Sequence, residues 1–380
     1  MSLMTSASNL KQFSLLGETN WQRVTSDSHI PFHGAYYSYF LLPFIVLFNY
    51  RVLLISLIFV LLNLITALVF FVITLKLFTR SFAALSLFFF LTSDIMIHHS
   101  LFPWIVNPVP LLAIFSISFV YKLHNQRKNL WSPFWLGTLS GLGFGMQNLY
   151  LPFAVLLFIF VLLISKRKLE SGLSFLIGIL IGSLPTIVFD FRHDFYHLRT
   201  FWQYFLDVLA GNVSGSATYY NFLYLYPFMF LALSFLSLKF SKIYKPFILF
   251  IPLIFIFFTF NSPKFNLQSS VGMPSGITLA SLESASAIIA ADKPPTKYNV
   301  ITLWDFDTRA HTLRYLLTYY HGLLPESLEE YKSIDALYAF APESYNIYSP
   351  QVYELSSFSP YKVGILPSNI PGYKLYKLTK

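Results

Sequence analysis

The first long apolar stretch of this sequence, residues 53–75, reads LLISLIFVLLNLITALVFFVITL. It contains no charged side chain, and its only amide side chain belongs to Asn63. A helix needs about 20 consecutive apolar residues to cross the hydrocarbon core of a bilayer. A strand buried in a soluble core runs for only about four to eight residues. The stretch therefore predicts a transmembrane helix.

The rest of the chain has a matching composition. Of its 380 residues, 55% are hydrophobic and 11% are charged, whereas an ordinary soluble domain has about 25% charged residues. Hydropathy predicts about eight spans, at residues 53–75, 82–98, 108–121, 133–147, 149–165, 173–189, 221–238 and 246–261. We therefore expect a multi-pass α-helical membrane protein. Within the fourth span, Gly137, Gly141 and Gly145 recur at the spacing that favours close helix packing.

Three regions follow from this pattern. Residues 1–52 form an outer-face loop and an interfacial helix, because Ala35 to Phe48 is too short to cross a bilayer and is rich in tyrosine, which favours the headgroup zone. Residues 53–262 form the transmembrane domain. From residue 263 to 380 the long apolar runs stop, and the composition becomes that of a soluble domain.

The C-terminal region alternates between helical and extended patterns, which predicts a small α/β domain. Thr278 is the expected N-cap of a helix that ends at Ala291. A second helix is expected at 307–320. The strands are expected at residues 299–303, 336–340, 361–365 and 373–378.

The charged residues set the orientation. Four alternate loops hold eleven cations, which are Lys76, Arg80, Lys122, Arg127, Lys128, Lys166, Arg167, Lys168, Lys239, Lys242 and Lys245. The other loops hold only Arg192 and Arg199. Since cationic loops stay in the cytoplasm, we expect a plasma-membrane protein with both termini and the C-terminal domain on the extracytoplasmic side.

Composition also excludes several functions. The net charge is +9, but the cations form short clusters between apolar runs instead of a continuous stripe, so no nucleic-acid partner is predicted. The chain has no cysteine, which excludes disulfides, thiolate nucleophiles and cysteine metal sites. Residues 1–34 do not show the pattern of a secretory signal.

Polar residues on the predicted outer side are the candidates for chemistry, because ionisable groups near a bilayer are costly and often functional. We expect them to line one cavity, with carboxylates acting as a base or as metal ligands and with Arg192 and His193 binding a phosphate. The candidates are Asp27, His33, Asp94, His98, His99, Trp104, Asn107, Gln147, Asn148, Asp190, Arg192 and His193.

Simpler interpretations stay open for several of these residues. Asp190 and Arg192 would also anchor the end of a span in the headgroup region. Asp94 would also be a solvated residue at a span end. The histidines follow no standard zinc-ligand spacing, so interfacial hydrogen bonding is an alternative to metal binding.

Taken in order, several motifs resemble one family. They are HGAYYSY at residues 33–39, Trp104 with Asn107-Pro108, Gln147, FDFRHDF at residues 189–195, and Asp307-Thr308-Arg309 with Leu313-Arg314-Tyr315. Together they are similar to the polyprenyl-phosphate-dependent membrane glycosyltransferases of the GT-C superfamily. Within it, the likeness is to bacterial glycosyltransferase family 39, which is related to the protein O-mannosyltransferases.

The resemblance implies transfer of a sugar from a polyprenyl-phosphate donor to a glycan, lipid or protein acceptor on the extracytoplasmic face. The reaction would be an inverting displacement, with or without a divalent metal. The resemblance gives substrate-binding roles to nine residues. Of these, Arg192 and His193 would bind the phosphate. The others are His33, Tyr36, Tyr37, Trp104, Asn107, Gln147 and Asp190.

The catalytic carboxylate departs from the family pattern. Members of the family have a further N-terminal span followed by an outer loop that holds the catalytic aspartate, and no residue here aligns with it. Asp27 lies downstream of that position, and Asp94 is the other candidate. We expect a truncated copy, an inactive copy, or a copy in which another carboxylate has taken over.

Two functions of other classes remain as alternatives. A transporter or lipid flippase would place charged or helix-breaking residues at mid-membrane in both halves of the chain. A non-catalytic membrane protein would display its C-terminal domain to a partner.

Overall fold

The computed structural model describes residues 16–19, 25, 32–212, 219–262, 273–274, 276–304, 308–328, 330–348, 352–368 and 370–380. Up to Ser262 these residues belong to one compact unit, and from Met273 onward they belong to a second. The domain boundary predicted between residues 262 and 263 adjoins the stretch 263–272, which lies outside the described residues.

The first unit is helical. Its helices are α1 (Tyr36–Leu47), α2 (Val52–Leu77), α3 (Arg80–Thr92), α4 (Asp94–Ser100), α5 (Val109–Asn125), α6 (Trp131–Met146), α7 (Leu151–Ile164), α8 (Lys168–Gly182), α9 (Leu184–Arg192), α10 (Tyr196–Leu209), α11 (Tyr226–Ser241) and α12 (Phe247–Phe260). Two short strands, β1 (Leu16–Thr19) and β2 (Phe32–Gly34), pair antiparallel. Every predicted span overlaps a helix or a pair of helices, so the helical positions are confirmed.

Fewer than eight of these helices have the dimensions of a complete span. Within the described part of the chain, two helical segments are long and apolar enough to cross a bilayer: α2, and the segment Tyr220–Ser241 that contains α11. The count rises to four if α3 with α4, bent by 58°, and α8 with α9, bent by 72°, are each one broken span. The prediction of about eight spans is therefore supported for two to four of them.

Local sequence explains the second of these bends. Pro185 lies in the first turn of α9, where a missing backbone N–H is tolerated. Proline also disfavours helical geometry in the residue before it. The apolar run continues across this point, so hydropathy alone predicts one continuous helix where the backbone turns.

Apolar side chains cover the outside of the first unit. On α2, Leu53, Leu57, Leu61, Leu64 and Leu68 are all exposed. A helix that is hydrophobic all round is typical of a membrane environment or of the core of a large protein.

Helices α6 and α8 approach each other unusually closely through glycines. A Cβ atom added to Gly137 would lie 1.9 Å from the carbonyl oxygen of Phe175, and one added to Gly178 would lie 2.1 Å from that of Phe134. Gly141 is also confined, since a Cβ added there would lie 2.6 Å from Ile179 O. The predicted packing role is therefore confirmed for Gly137 and Gly141. Gly145 instead lies next to Gly34 of β2, where a Cβ would have room.

The second unit is a small α/β domain. Its four-stranded sheet has the order β3-β4-β6-β5, with β3 and β4 parallel and the other pairs antiparallel. The strands are β3 (Tyr298–Thr302), β4 (Ala336–Pro342), β5 (Lys362–Leu366) and β6 (Tyr373–Thr379), and the helices are α13 (Leu279–Ala291), α14 (His311–His321) and α15 (Tyr353–Phe358). All four predicted strands are confirmed, whereas the short α15 was not predicted.

Local residues define where two helices of this domain begin. Thr278 is the N-cap of α13, as predicted, and it forms a capping box with Ser281. Helix α14 begins at His311, later than the predicted start at residue 307, because Ala310 has a left-handed conformation with φ of 53°. The Arg314 guanidinium donates to the carbonyl oxygens of Arg309 and Glu326 and thereby holds the next loop to α14. This gives Arg314 a structural role.

Candidate functional site

The turn between α9 and α10 is organised by Asp190, which is buried. Its Oδ1 accepts a hydrogen bond from His197 N at 2.7 Å, and its Oδ2 accepts one from Leu198 N at 3.1 Å. Both N–H groups belong to the first turn of α10, where the helix itself offers no acceptor. Asp190 therefore acts as a side-chain cap that fixes where α10 begins.

His197 is the buried histidine of this site, with 6% of its surface exposed. Its Nε2 lies 3.2 Å from Phe32 O. A carbonyl oxygen only accepts, so Nε2 carries the proton and donates it. Burial lowers the pKa of His197, against the opposing influence of the nearby Asp190 and of the bond to Phe32. The sequence did not indicate His197, since its partner lies far away in the chain, on β2.

Because the pKa of His197 is lowered in the fold, we predict that stability falls in acid. Above about pH 7 the imidazole is neutral in both the folded and the unfolded chain. As the pH falls through about 6.5, the unfolded chain takes up a proton that the folded chain does not, and unfolding is favoured until the pH passes the folded pKa. Melting temperatures of the detergent-solubilised protein measured across this range would show the decline.

His197→Gln is the control for this prediction. Glutamine keeps an N–H donor for Phe32 O but does not titrate. The decline between pH 7 and pH 5 should therefore become shallower in this variant. An identical slope in both proteins would show that His197 is not the group responsible.

Strand β2 connects this turn to the rest of the unit. The ring of Phe32 lies 6.4 Å from that of Phe189, and the next residue, His33, is partly buried. Gly34 follows, so close to α6 that an added Cβ would lie 3.2 Å from Gly145 O. Strand β2, which carries the predicted substrate-binding residue His33, is thus held between the α9–α10 turn and the end of α6.

Tyr36 and Tyr37 are engaged in helix packing at the start of α1. The Tyr36 hydroxyl donates to Ile181 O at 3.2 Å. Tyr37 is fully buried, with its ring 6.1 Å from that of Phe59. Both residues therefore stabilise the position of α1.

Gln147, at the end of α6, links this helix to the segment that precedes α11. Its Nε2 donates to Asn221 Oδ1 at 2.7 Å, and both residues are buried. The neighbouring Tyr220 places its ring 4.6 Å from that of Trp104. Gln147 and Trp104, predicted from separate parts of the sequence, are thus linked through the segment that precedes α11.

Trp104 in turn contacts His99 and Asn107. The indole stacks on the His99 ring at 5.6 Å with an interplanar angle of 7°. His99 Nδ1 lies 2.9 Å from Asn107 Oδ1, and Asn107 Nδ2 donates to Phe102 O at 2.6 Å. Since Asn107 Nδ2 is already a donor, its Oδ1 is the acceptor and His99 donates. The predicted residues of this loop therefore form one polar and aromatic cluster.

An apolar groove of about 360 Å³ lies beside Asp190 and His197. Most of its walls are aliphatic and aromatic side chains from α6 to α10. They are Phe144, Leu151, Ala154, Ile179, Leu180, Ile187, Phe191, Phe195, Leu198 and Phe201. Polar atoms are supplied by Ser140, Ser183, Thr186, Asp190 and His197. The groove is within the usual size range of small-molecule sites, about 300–1,000 Å³.

Arg192 and His193 lie on the same turn and are exposed. The His193 ring stacks on Phe189 at 4.1 Å, and its Nδ1 lies 2.9 Å from Phe189 O. Neither side chain lines the groove. Within the described part of the chain, no acidic residue forms an ion pair with Arg192.

Among the described residues, the polar clusters predicted to line one cavity are distributed over separate ones. His99 and Asn107 line a separate cavity with Asn63 and Thr66. Its volume of about 10 Å³ has room for roughly one water molecule. The two groups are instead joined by the contacts through β2, Gln147 and Trp104, because the connections between the helices pack on one another.

Of the two candidate catalytic carboxylates, Asp94 and Asp27, the structure describes only Asp94. Asp94 accepts hydrogen bonds from Ile95 N at 2.8 Å and from the Ser262 hydroxyl at 2.5 Å, and so joins the start of α4 to the end of α12. It does not line the groove. Asp27 lies outside the described residues.

The described residues do not provide the donor set of a divalent metal. None of the His, Cys, Asp and Glu side chains described here form a group of three or more that could hold a metal ion. The oxygens of Asp190 already accept backbone N–H groups, and those of Asp94 accept an N–H and a hydroxyl.

No family model, curated protein or solved structure matches this chain. The resemblance to the GT-C glycosyltransferases therefore stays a prediction from the motifs.

Proposed function

We propose that this chain is a membrane glycosyltransferase of the GT-C type. It transfers a sugar from a polyprenyl-phosphate donor to an acceptor at the extracytoplasmic face. The proposal includes the finer topology predicted from the sequence, with eight membrane-crossing segments and an extracytoplasmic C-terminal domain.

The observation that carries the proposal is the groove beside Asp190, with Arg192 and His193 on the adjoining turn. Its apolar walls suit an isoprenoid chain. The rims of the groove include Phe191, 72% exposed, and Leu198, 57% exposed, so an apolar chain could enter from the surrounding lipid. A guanidinium binds phosphate oxygens as a bidentate fork, and this gives Arg192 its role.

The arrangement of the connections supports the predicted topology. Connections assigned to the outer side contact one another: His197 reaches Phe32, Gln147 reaches Asn221, and Trp104 reaches Tyr220. Two of the cationic connections also contact each other, since Lys166 N donates to Arg127 O at 2.9 Å. Loops of the predicted outer set thus contact one another, and two loops of the predicted inner set do the same. This is the pattern expected when successive spans cross the membrane in alternate directions.

The chemistry proposed for the site uses two kinds of group. Arg192 and His193 stabilise the phosphate as it leaves the sugar, because charge develops on its oxygens. The acceptor hydroxyl loses its proton to a general base. Asp94 does not line the groove, so no described carboxylate is assigned that role. Asp190 positions α10, since both of its oxygens hold backbone N–H groups.

Sugar transfer tests this proposal directly. Membranes containing the chain are given a polyprenyl-phosphate donor with a radiolabelled sugar, and label in the acceptor fraction is counted. We expect Arg192→Ala to reduce transfer by about 100-fold, as the loss of one transition-state donor does in other enzymes. Arg80→Ala, an arginine on the predicted inner side, should leave transfer unchanged. Equal transfer by the Arg192 variant would remove Arg192 from the mechanism, and no transfer by the parent chain would count against the enzyme.

One observation favours a lipid flippase as the second candidate. The bent pairs α3 with α4 and α8 with α9 have the form of the broken helices at transporter sites. Movement of a fluorescent phospholipid across proteoliposomes, in the absence of sugar transfer, would support this alternative over the enzyme.

A further inference from the structure

A basic concavity lies at the cationic connections of the first unit, away from the groove. It has a volume of about 740 Å³ and is lined by the α5–α6 connection and by Lys166 of the α7–α8 connection. Its cations are Arg127, Lys128 and Lys166, and none of its lining residues is acidic. Any ligand there meets three positive charges.

The concavity is held in shape by hydrogen bonds to the backbone of both connections. Lys166 N donates to Arg127 O at 2.9 Å, and the Ser165 hydroxyl donates to the same oxygen at 3.2 Å. Asn129 Oδ1 accepts the first N–H groups of α6, from Trp131 at 2.8 Å and Ser132 at 3.2 Å. The two connections are thus fixed together without using the cationic side chains.

Among the described residues, the three cations have no counterion. Within the described part of the chain, no acidic side chain forms an ion pair with Arg127, Lys128 or Lys166. Glu170, at the start of α8, is bound to Arg167 at 3.1 Å. The positive charge of the concavity is therefore left for an external anion.

Apolar residues at the edge of the concavity indicate at which level of the membrane interface a bound anion lies. Trp131 lines the concavity with 68% of its surface exposed, and Leu169, next to the cationic Lys166–Lys168 run, is 74% exposed. Exposed tryptophan is typical of the zone where headgroups meet hydrocarbon. Basic pockets between helices on the cytoplasmic side are a known mode of binding lipid headgroups.

We propose that this concavity binds the headgroup of an anionic phospholipid of the inner leaflet. The phosphodiester lies among Arg127, Lys128 and Lys166, and the acyl chains lie along the apolar surface beside Trp131. The inference uses the membrane orientation given under the proposed function but does not depend on sugar transfer. A chain without transferase activity would still bind the lipid.

Lipid binding by the full chain in neutral detergent tests the proposal. Fluorescent phosphatidylglycerol is titrated in mixed micelles, with phosphatidylcholine as the zwitterionic comparison. The variant carries R127Q, K128Q and K166Q together. Each cation near an anionic membrane surface contributes about fivefold in affinity, so we expect a loss on the order of 100-fold, and weaker binding by the parent chain as salt is raised.

The matched control carries K239Q, K242Q and K245Q, which removes the same charge from another predicted inner loop outside the concavity. It should bind phosphatidylglycerol nearly as well as the parent chain. Equal losses in both triple variants would mean non-specific attraction and would overturn the proposal, as would equal binding of phosphatidylcholine. Competition by inorganic phosphate at micromolar concentration would assign the site to a free anion instead.

If the triple variant R127Q, K128Q and K166Q misfolds, its loss of lipid binding does not decide the proposal. The single variants R127Q, K128Q and K166Q, each measured for melting temperature and affinity, then replace it. If none of them weakens binding by more than twofold while the protein stays folded, the proposal is wrong.

Discussion

Gly137→Ala should prevent α6 and α8 from packing and should destabilise the protein by at least about 3 kcal/mol. The added methyl would lie 1.9 Å from Phe175 O, and that oxygen belongs to a helix backbone, which has no alternative rotamer. The two helices would have to separate along their whole contact, losing the close packing that small residues permit. Fluorescence-detected size exclusion of the detergent extract, with a melting series, would measure the loss.

Gly145→Ala is the control in the same helix. The nearest atom to its added methyl would be Gly34 Cα at 3.8 Å, which is an ordinary contact. Gly178→Ala, from the facing helix, should repeat the effect of Gly137→Ala because its methyl would lie 2.1 Å from Phe134 O. A melting temperature for Gly137→Ala equal to that of Gly145→Ala would mean that the two helices are farther apart than described here.

Asp190→Ala should be the most damaging change at the candidate site, at a cost of about 2 kcal/mol. The substitution leaves the buried N–H of His197 and the N–H of Leu198 without their acceptor. The start of α10 would then fray, and the bond from His197 to Phe32 O would weaken with it. Chemical denaturation in detergent would give the stability, and hydrogen exchange of the α10 amides would locate the change.

Two further variants, Asp190→Asn and Asp194→Asn, distinguish the effect of losing the helix cap from the effect of losing a negative charge. Asparagine at 190 keeps one acceptor oxygen, so its cost should fall between that of the alanine variant and that of the parent. Asp194 is exposed and has a left-handed backbone, with φ of 51°, which asparagine tolerates well. Its variant should therefore be near neutral. If Asp194→Asn were as damaging as Asp190→Ala, the negative charge of the turn would matter and the cap would not.

Asp190→Ala also bears on the proposed function. Asp190 is two residues before Arg192 in the chain, so its variant should lose transfer per folded molecule as well as folded protein. Activity normalised to the folded fraction would distinguish the two effects.

The site was only partly predictable because its contacts join distant parts of the chain. Arg192 and His193 are evident in the sequence as ionisable groups beside an apolar run. His197 is not evident, because its importance comes from burial against Phe32. The motifs predict Asp190 to be a substrate ligand, whereas in the structure both of its oxygens accept backbone N–H groups. Likewise, Gly178 faces Gly137 only because α6 and α8 pack side by side.

By itself the sequence determined the helical composition of the first unit, the positions of its helices and the strands and capped helix of the C-terminal domain. Hydrophobic periodicity, apolar length and capping are local properties and can be read directly from neighbouring residues. The tertiary structure decided where apolar runs bend, which glycines meet, and how Asp190 and His197 are paired. Those outcomes depend on steric fit and hydrogen bonding between residues that are far apart in the chain, and hydropathy contains no information about either.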